Sequence, residues 1–396
     1  MALRRRAGDI RRAVGDRSHP ALVFEAVECR VLLAFSPTAQ EQYMLELLNH
    51  LRADPQANLD LMTSSLGTQA RSSDPDIDSA LQFFHVSGTA LAQQWAALTA
   101  VPPLAWNEEL YNSAAGHTQV MIDTDSQTHQ APGEPDLGQR ATNAGYNYST
   151  LGENVYAYAE SVLHGHAGFA IDWGNDANGI QDPPGHRDNM MSGSFREVGI
   201  RILSENNGST QVGPLVITQD FGNRFSLGNP FLLGAVYNDS NGNSFYDVGE
   251  GVGNVTITVV GAAGTYIATS MDAGGYQLQV PSGVYDVTFS GGGFGSAITY
   301  RNIMVSGENT KIDGVRGVNP PQPDIEVVGN GVAILSGDTT ASTTDDTFFG
   351  SVNLAQTLAR TFTIRNVGGA PLQLTGMPRV TVSGAGIGLF TILSNA

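Results

Sequence analysis

The chain has 396 residues, of which 41% are hydrophobic, with a formal net charge of −18 and a single cysteine, Cys29. This length exceeds one ordinary hydrophobic core, so two to four domains are expected, and the hydrophobic content excludes wholesale disorder. The acidic charge disfavours nucleic acid and anionic lipid surfaces as partners. A single cysteine excludes an intramolecular disulfide and a cysteine-based zinc cluster. No apolar run approaches the ~20 residues that span a bilayer, so no transmembrane segment is expected.

Residues 1–37 are interpreted as an export-type N-terminal segment. The segment begins with arginine-rich sequence, and its apolar run at residues 31–35 is too short for the core of a standard signal peptide. Residues 24–34 are similar to the N-terminal segment of many exported planctomycete proteins. The sequence therefore predicts a secreted or cell-envelope protein.

Helical periodicity dominates residues 38–225. Thr38 and Glu41 form the signature of a capping box ahead of apolar residues at helical spacing, and Asp54 with Pro55 marks the start of a second helix. A third helical stripe follows. The apolar β-type runs that close the segment are residues 198–203 and 214–218. We therefore expect an α+β domain in which helices pack on a small sheet.

Strand periodicity replaces helical periodicity after a composition break at residues 226–230. Strands separated by turn residues are predicted at 255–260, 276–280 and 284–289. A β-sandwich is therefore expected for residues 228–315.

A proline-rich linker at residues 318–323 precedes a last segment, residues 323–396, with a strand predicted at 360–364. This segment is shorter than the ~100 residues of an immunoglobulin-type sandwich. We expect it to lack some of the strands of a complete sandwich and to leave an edge open to pairing with another chain.

Two of the eight histidines, and one glutamate, have surroundings typical of a functional site. His50 on a helix flank and His117 on an apolar stripe are interpreted as surface or packed residues. His129 and His186 instead lie in segments rich in Gly, Pro and Asp, where sites are commonly built. Glu153 stands between a glycine and an asparagine. Imidazole and carboxylate groups bind divalent metals or transfer protons near neutral pH.

The sequence around these three residues resembles the bacterial branch of the CAP superfamily, the SCP-like domain, over most of residues 38–225. The segments that carry the resemblance are residues 104–110, His129, and residues 151–155, 185–190 and 195–200. The resemblance implies an α-β-α sandwich with a surface cleft. In that cleft His129, Glu153 and His186 are expected to meet a fourth, acidic residue.

Three aspartates compete for the fourth position. Relatives place a glutamate shortly after a tryptophan, whereas here Trp173 is followed by Asp176. Asp172 and Asp182 compete for the same place. Asp176 is the candidate that this spacing favours.

The chemistry of the cleft allows binding or catalysis. His129, His186 and Glu153 suit Zn²⁺ or another divalent metal with positions left for water. The same groups, with Asp176, form a candidate catalytic set for general acid–base or metal-assisted hydrolysis. The chain contains no nucleophile elbow, P-loop or dinucleotide fingerprint. We interpret the cleft as a binding site first and a catalytic site second.

His164 and His166 form a second histidine pair. Residues two apart face the same side only in a strand, and the sequence after them is helical in character. We expect both imidazoles to be exposed to solvent and to bind no metal.

Residues 239–250 have the length and ligand spacing of an EF-hand-type calcium loop. The predicted ligands are Asp239, Asn241, Asn243, the main-chain carbonyl of Phe245, Asp247 and Glu250. Ser244 replaces the glycine that is usual at position 6, so the turn is expected to differ. An Asx-rich turn without metal is the alternative. The ligand pattern favours Ca²⁺.

Both β segments resemble modules of bacterial surface proteins. Residues 228–315 are similar to the SdrD B-like domain, an immunoglobulin-like sandwich, through residues 234–239, the loop to residue 250, and residues 255–259, 272–276 and 281–285. This implies a calcium-stiffened spacer. Residues 323–396 are similar to the start of a choice-of-anchor D repeat through residues 324–327, 329–331, 349–350, 361–366 and 370–374.

Three hypotheses follow for the whole chain. The first is an exported bacterial surface protein whose cleft binds a divalent metal and an extracellular ligand, with lipid, peptide and cell-wall component all open. The second is a peptidase-like hydrolase that uses the same cleft. The third is a non-catalytic adhesion or structural protein.

Overall fold

The computed structural model describes residues 35–318, 325–354, 356–367, 372, 374, 378–384 and 386–394. The predicted N-terminal segment up to residue 34, Cys29 included, and nearly all of the proline-rich linker lie outside the described residues, as does part of the last segment's repeat motif. The elements below all belong to one compact unit, Ser36–Ala396.

The helices lie in the N-terminal half of the described chain, which we call the head (residues 36–225). They are α1 (Ala39–Ala53), α2 (Pro55–Met62), α3 (Pro75–Phe83), α4 (Gly88–Trp95), α5 (Glu108–Asp123), α6 (Leu137–Asn143), α7 (Val162–Ile171) and α8 (Gly185–Met191), with a 3-10 turn at Ala177–Gly179. The predicted capping box at α1 is confirmed, because Glu41 N donates to Thr38 Oγ1 at 3.2 Å and Thr38 N donates to Glu41 Oε2 at 2.8 Å. Asp54 caps α2, with Pro55 in its first turn.

The head also contains one four-stranded sheet and a short hairpin. The strands are β1 (Ser65–Leu66), β2 (Ala70–Arg71), β3 (Ala105–Trp106), β4 (Tyr148–Ala159), β5 (Glu197–Ser204) and β6 (Leu215–Arg224). The sheet has the order β3-β5-β6-β4, so β4 is an edge strand. Helix α5 covers one face, where Thr118 bonds Thr218, and α7 covers the other, where Gly165 meets Ile217. Neighbouring residues of β6 thus face opposite layers, and the predicted α+β fold class is confirmed.

Helix α7 corrects the prediction for His164 and His166. Both are buried, at 7% and 0% exposure, because α7 is packed on all sides and all but one of its residues are buried. A Cβ on Gly165 would lie 2.4 Å from Ile217 Cδ1, so the helix lies directly on the sheet. Burial lowers the pKa of His166 to about 3, so its imidazole is neutral. A helical sequence predicts exposed side chains only when one face of the helix is free, and α7 has no such face.

Residues 228–315, here called the β module, contain two facing sheets. Their strands are β7 (Phe231–Tyr237), β8 (Thr256–Gly261), β9 (Gly264–Thr269), β10 (Gly275–Gln279), β11 (Gly283–Ser290), β12 (Ile298–Val305), β13 (Thr310–Lys311) and β14 (Gly314–Val315). One sheet has the order β10-β7-β13, with β14 also paired to β7, and the other has the order β12-β11-β8-β9. Leu232, Ile257, Tyr276 and Phe289 from both sheets share one hydrophobic core. The predicted strands and two-sheet arrangement are therefore present.

The β module packs directly on the head. Trp106 N donates to Gln277 Oε1 at 2.8 Å and Gln277 Nε2 donates to Trp106 O at 2.9 Å, so one side-chain amide of the β module bonds both main-chain groups of Trp106 in the head. Lys311, the only lysine of the chain, lies 2.8 Å from the buried carboxylate of Glu46 and also pairs with Asp313. Burial alone would lower the pKa of Lys311, but these two carboxylates raise it. The module is thus attached by specific polar contacts in addition to the chain connection.

The last segment contains a small antiparallel sheet. Its strands are β15 (Ile325–Gly329), β16 (Val332–Ile334) and β17 (Phe362–Asn366), in the order β16-β15-β17. Val328 is its one buried large hydrophobic residue among those described. No helix in the described part of the chain has the length and apolar character needed to cross a membrane.

Candidate functional site

His129 and Glu153 form the first half of the site. Strand β4 carries Glu153, and the loop after α5 carries His129, whose Nδ1 lies 2.9 Å from Glu153 Oε1. The imidazole is 61% exposed, whereas the carboxylate is 3% exposed. A buried carboxylate therefore holds an accessible imidazole by one nitrogen and leaves Nε2 free for a ligand.

Arg140 of α6 supports Glu153 from behind. Its guanidinium pairs with Glu153 Oε2 and also donates to the main-chain oxygens of His129, at 3.1 Å, and Pro135, at 3.3 Å. Burial by itself raises the pKa of Glu153, but the hydrogen bond from His129 and the charge of Arg140 outweigh it, so the pKa lies below its usual value. Glu153 is therefore ionised at neutral pH.

His117 fixes the loop that carries His129. Its Nδ1 lies 2.8 Å from Glu134 Oε1, and its Nε2 lies 2.7 Å from the main-chain oxygen of Thr128. Ala131 N also donates to Glu134, at 3.0 Å. With both ring nitrogens occupied and no exposure, His117 is a packed residue, as the sequence predicted.

His186 and Asp172 form the second half of the site. Helix α7 ends at Ile171, and Asp172 follows in a left-handed conformation, with φ 60° and ψ 46°. This turn brings its carboxylate to the start of α8. His186 Nδ1 lies 2.7 Å from Asp172 Oδ1, and His186 N donates to Asp172 Oδ2 at 2.9 Å. The imidazole is 16% exposed and the carboxylate 0% exposed.

The structure brings Asp172, and neither Asp176 nor Asp182, to His186. Asp176 is exposed and precedes the 3-10 turn, where its Oδ2 accepts a hydrogen bond from Asp182 N at 3.3 Å. Asp172 immediately precedes Trp173, and its left-handed conformation ends α7 and places its carboxylate against His186. The acidic neighbour of His186 is therefore Asp172, which the sequence offers as an alternative to Asp176.

Two asparagines connect the halves. Asn154 Nδ2 donates to His186 O at 3.1 Å, and Asn189 Nδ2 donates to Asn154 Oδ1 at 3.0 Å and to Glu153 O at 3.2 Å. Three of the four predicted cleft residues, His129, Glu153 and His186, thus belong to one polar network. We call this network the cleft.

The arrangement does not present a ready zinc site. Among the residues that the structure describes, no three His, Cys, Asp or Glu side chains are placed to share a metal ion. Both oxygens of Glu153 are engaged, by His129 and by Arg140. A divalent ion would have to displace the guanidinium, so these residues do not fit a three-ligand zinc centre in this conformation.

Asp220 is a part of the site that the motifs missed. It lies on β6 directly opposite Glu153 of β4 and is fully buried. Burial raises the pKa of Asp220 well above its usual value, and the charge of Glu153 raises it further. Its surroundings therefore favour the neutral, protonated form of this carboxyl group over the ionised form. An acidic residue inside an apolar strand was the available signal.

The predicted calcium loop forms a tight turn in the β module. Asp239 Oδ1 accepts from Gly242 N at 2.8 Å and from Asn243 N at 3.1 Å. Asn241 Nδ2 and Asn243 Nδ2 both donate to Asp247 Oδ2, at 2.7 and 2.8 Å. The oxygens of the two amides accept main-chain hydrogen bonds from Asn243 N, at 3.0 Å, and Phe245 N, at 2.9 Å, so the polar side chains of the loop converge on the turn.

The remaining loop residues complete the turn. Glu250 Oε1 accepts from Ser240 N at 2.8 Å, and its Oε2 accepts from Asp247 N at 3.1 Å. Ser244 has φ 61°, the conformation that glycine supplies at this position of an EF-hand loop. The Phe245 ring packs on His50 of the head at 5.2 Å. The loop is therefore EF-hand-like in its turn, with strain at Ser244 in place of glycine.

Comparison with known proteins supports a CAP domain in the head. Residues 45–221 match the family model described as CAP: Cysteine-rich secretory protein family. This match supports the CAP domain that the motifs predicted, and it stops before the β module. The chain's single cysteine lies outside the matched residues. No curated protein matches the chain.

Two solved structures show weaker similarity. An extracellular protein containing an SCP domain from Bacillus anthracis strain Ames is 21% identical, with a TM-score of 0.24, and the match covers 38% of this chain and 44% of that one. The chain thus spans less than half the length of that protein. An outer surface protein from Borrelia burgdorferi is 13% identical, with a TM-score of 0.25, covering 37% of this chain and 93% of that one. Similarity at this level carries no information on a shared activity.

Proposed function

We propose that this chain is a secreted or cell-surface protein whose CAP head binds an extracellular ligand in the cleft between His129 and His186. One observation carries the proposal: each imidazole is held at Nδ1 by a buried carboxylate, so that Nε2 is left for a ligand. The description of the matching family as secretory, and the export-type N-terminal sequence, support the location.

A thermal-shift screen tests ligand binding. The full chain is melted with four probes: ZnCl₂, sodium palmitate, a degenerate hexapeptide library and soluble peptidoglycan fragments. We expect one probe to raise the melting temperature of wild type and not of His129→Ala or His186→Ala. His85→Asn is the matched control, since His85 is an exposed histidine outside the cleft whose left-handed backbone suits asparagine. Equal shifts in all variants would remove the cleft as the binding site.

Zn²⁺ or another divalent metal in the cleft stays a separate prediction. The engaged state of Glu153 argues against tight binding, whereas the two free Nε2 atoms favour it. Equilibrium dialysis with ⁶⁵Zn²⁺ decides between them. Retention by wild type that His129→Ala and His186→Ala both abolish supports a metal, and no retention by wild type ends this prediction.

Hydrolysis is the second candidate function, and the pair Asp172–His186 is the observation that favours it. A buried carboxylate that orients an imidazole is the arrangement by which a histidine acts as general base. Labelled casein and p-nitrophenyl esters provide the assay. Activity that is lost in His186→Ala but retained in His85→Asn supports catalysis by His186. Equal activity in both variants would show that another part of the chain is responsible for the hydrolysis.

We further propose that residues 239–250 bind Ca²⁺ and stiffen the β module. The contacts among Asp239, Asn241, Asn243 and Asp247 support this, because the polar side chains already converge. Calcium is expected to raise the melting temperature of wild type and not of Asp239→Ala. Ser244→Gly keeps every ligand and relieves the positive φ, so it is expected to bind at least as tightly. A melting temperature of wild type that a calcium chelator does not change would contradict the calcium site.

Pairing through the small C-terminal sheet also stays a proposal. β16 and β17 lie at its two edges, and such edges invite another strand. Sedimentation velocity of the full chain at increasing concentration tests this, with Thr363→Pro to block pairing along β17. A monomer at every concentration would contradict it.

A further inference from the structure

Lys311 of the β module lies against helix α1 of the head. Its Nζ is 2.8 Å from Oε2 of Glu46 and also pairs with Oδ2 of Asp313. The Glu46 side chain is 3% exposed and the Lys311 side chain 21% exposed, so little water reaches the contact between them. We call Lys311, Glu46 and Asp313, together with Gln42 of α1, the junction cluster.

The junction cluster contains the only lysine of the chain, so arginine or histidine is the cation of the other side-chain ion pairs. A guanidinium pairs with carboxylates through two parallel hydrogen bonds and stays charged, whereas the amine of a lysine can lose its proton and act as a nucleophile. Arginine would therefore serve a purely electrostatic contact. A lysine at this position adds the capacity to form a covalent bond.

The carboxyl group of Glu46 is held in a position to be attacked. Gln42, one helical turn earlier, donates from Nε2 to Glu46 Oε1 at 2.8 Å. The Gln42 amide is itself fixed, because Trp106 Nε1 donates to its Oε1 at 3.0 Å. A fixed donor at Oε1 stabilises the negative charge that develops there when a nucleophile attacks the adjacent carbon. The amine of Lys311 lies at the other oxygen, Oε2.

Asp313 is placed to move protons. Its Oδ2 pairs with Lys311 Nζ, and its Oδ1 accepts from Ala235 N of β7 at 2.8 Å, so the main chain orients the carboxylate. Although burial favours the neutral amine, Asp313 and Glu46 raise the pKa of Lys311, so a proton must pass to Asp313 before the amine can attack. Burial raises the pKa of Glu46, which favours the neutral carboxyl group that an amine attacks most readily.

We propose that Lys311 and Glu46 form an isopeptide bond that joins the β module covalently to the head. Asp313 removes a proton from the Lys311 ammonium group, and Nζ attacks Cδ of the neutral Glu46 carboxyl group. Asp313 then passes this proton to Oε2, which leaves as water, and takes a second proton from Nζ, which it releases to solvent. One N–C bond forms and one C–O bond breaks, so the reaction consumes no other reactant.

The folded chain supplies what this condensation lacks in water. Contact between fixed groups corresponds to an effective concentration of about 10⁵ M or more, and the covered site keeps water away from the product. A covalent joint also suits an exported protein whose single cysteine cannot form an intramolecular disulfide. The bond depends neither on a ligand in the cleft nor on calcium in loop 239–250.

Peptide mapping of the full chain by mass spectrometry tests the bond. Trypsin should release the Glu46 peptide, which ends at Arg52, joined to residues 302–316, with the mass of the two peptides less one water and no cleavage after Lys311. Lys311→Arg is the matched control, because it keeps the cation but its guanidinium is not acylated. This variant should yield the two peptides separately.

Asp313→Asn tests the proposed route of the protons. Asparagine can still accept from Ala235 N but cannot take a proton from the amine, so we expect the joined peptide to form about 100-fold more slowly after refolding. Wild-type peptides that are separate and of full mass overturn the proposal, and so does a bond from Lys311 to Asp313 in place of Glu46. Equal rates in wild type and Asp313→Asn overturn the role of Asp313.

Discussion

The two halves of the cleft contain the same pair of groups held in different ways. Glu153 is held by another charge, the guanidinium of Arg140, whereas Asp172 is held by the main chain at the start of α8. The first imidazole is largely exposed and the second largely covered. An ion pair depends on the charge state of every buried neighbour, but a main-chain hydrogen bond depends on backbone geometry. The halves should therefore respond differently to mutation and to pH.

Arg140→Met is expected to have the largest effect on stability. It leaves Glu153, and Glu134 behind it, as buried carboxylates without their cation, at a cost of about 3 kcal/mol or more. Urea denaturation measures the change. Arg140→Lys keeps the charge but cannot reach Glu153 and two carbonyls together, so an intermediate loss is expected. A loss below about 1 kcal/mol in Arg140→Met would show that the ion pair does not hold this half.

Asp172→Ala is expected to cost about 2 kcal/mol, because it removes the acceptor of a charge-assisted bond and of a main-chain N–H. Asp172→Asn is the matched control, since asparagine tolerates the left-handed backbone and can still accept. We expect it to retain most of the stability. If both variants lose equally, the carboxylate charge, and not geometry, holds His186.

The first half of the cleft, where Asp220 lies opposite Glu153, should make the free energy of unfolding depend on pH. Because the folded-state pKa of Asp220 is raised, the folded chain binds the extra proton, and stability falls as pH rises from about 4 toward that raised pKa. Asp220→Asn has no proton to lose, so its stability relative to wild type should grow by about 1.4 kcal/mol per pH unit in this window.

Glu153 has the opposite sign and a different window. Because the pKa of Glu153 is lower in the folded chain than in the unfolded chain, ionised Glu153 stabilises the fold at every pH above its ordinary pKa. This stabilisation is lost as the pH falls from the ordinary pKa through the lowered one. Denaturation series at several pH values, for wild type and Asp220→Asn, separate the two. Parallel pH profiles above pH 5 would show that Asp220 is ionised in the folded chain.

His129→Gln is expected to have the smallest effect, below about 0.5 kcal/mol, since an exposed member of an ion pair contributes little. His186→Gln should cost more, because its ring packs on Phe169 at 5.4 Å. The same denaturation experiment compares the two. A larger loss for His129→Gln would reverse the proposed division between the halves.

Much of the fold was predictable because it depends on local pattern. The capping box of α1 and the proline start of α2 are set by residues within one turn of each other. The strands of the β module follow from alternation and from glycine-rich turns. The same holds for loop 239–250, where the interacting side chains lie within twelve residues.

The burial of α7 could not be predicted in this way. Its sequence carries two histidines and two glycines, which suggests a poor core helix. The glycines instead allow close contact with β6 and Tyr156, and the layers on both sides then enclose His164 and His166. Which face of a helix is covered depends on what packs against it, and no local pattern contains that information.

For the cleft, sequence alone singled out His129, Glu153 and His186 as candidate site residues, because residue type and local neighbours mark such positions, although His186 lies in helix α8 and not in the loop that its neighbours suggest. Tertiary structure decided their partners. Asp172 reaches His186 through one left-handed residue, and Asp220 reaches Glu153 across a pair of strands. Local sterics act over a few residues and are visible in the chain. The pairing of buried charged side chains depends on which helices and strands pack against each other, and only the tertiary structure specifies this packing.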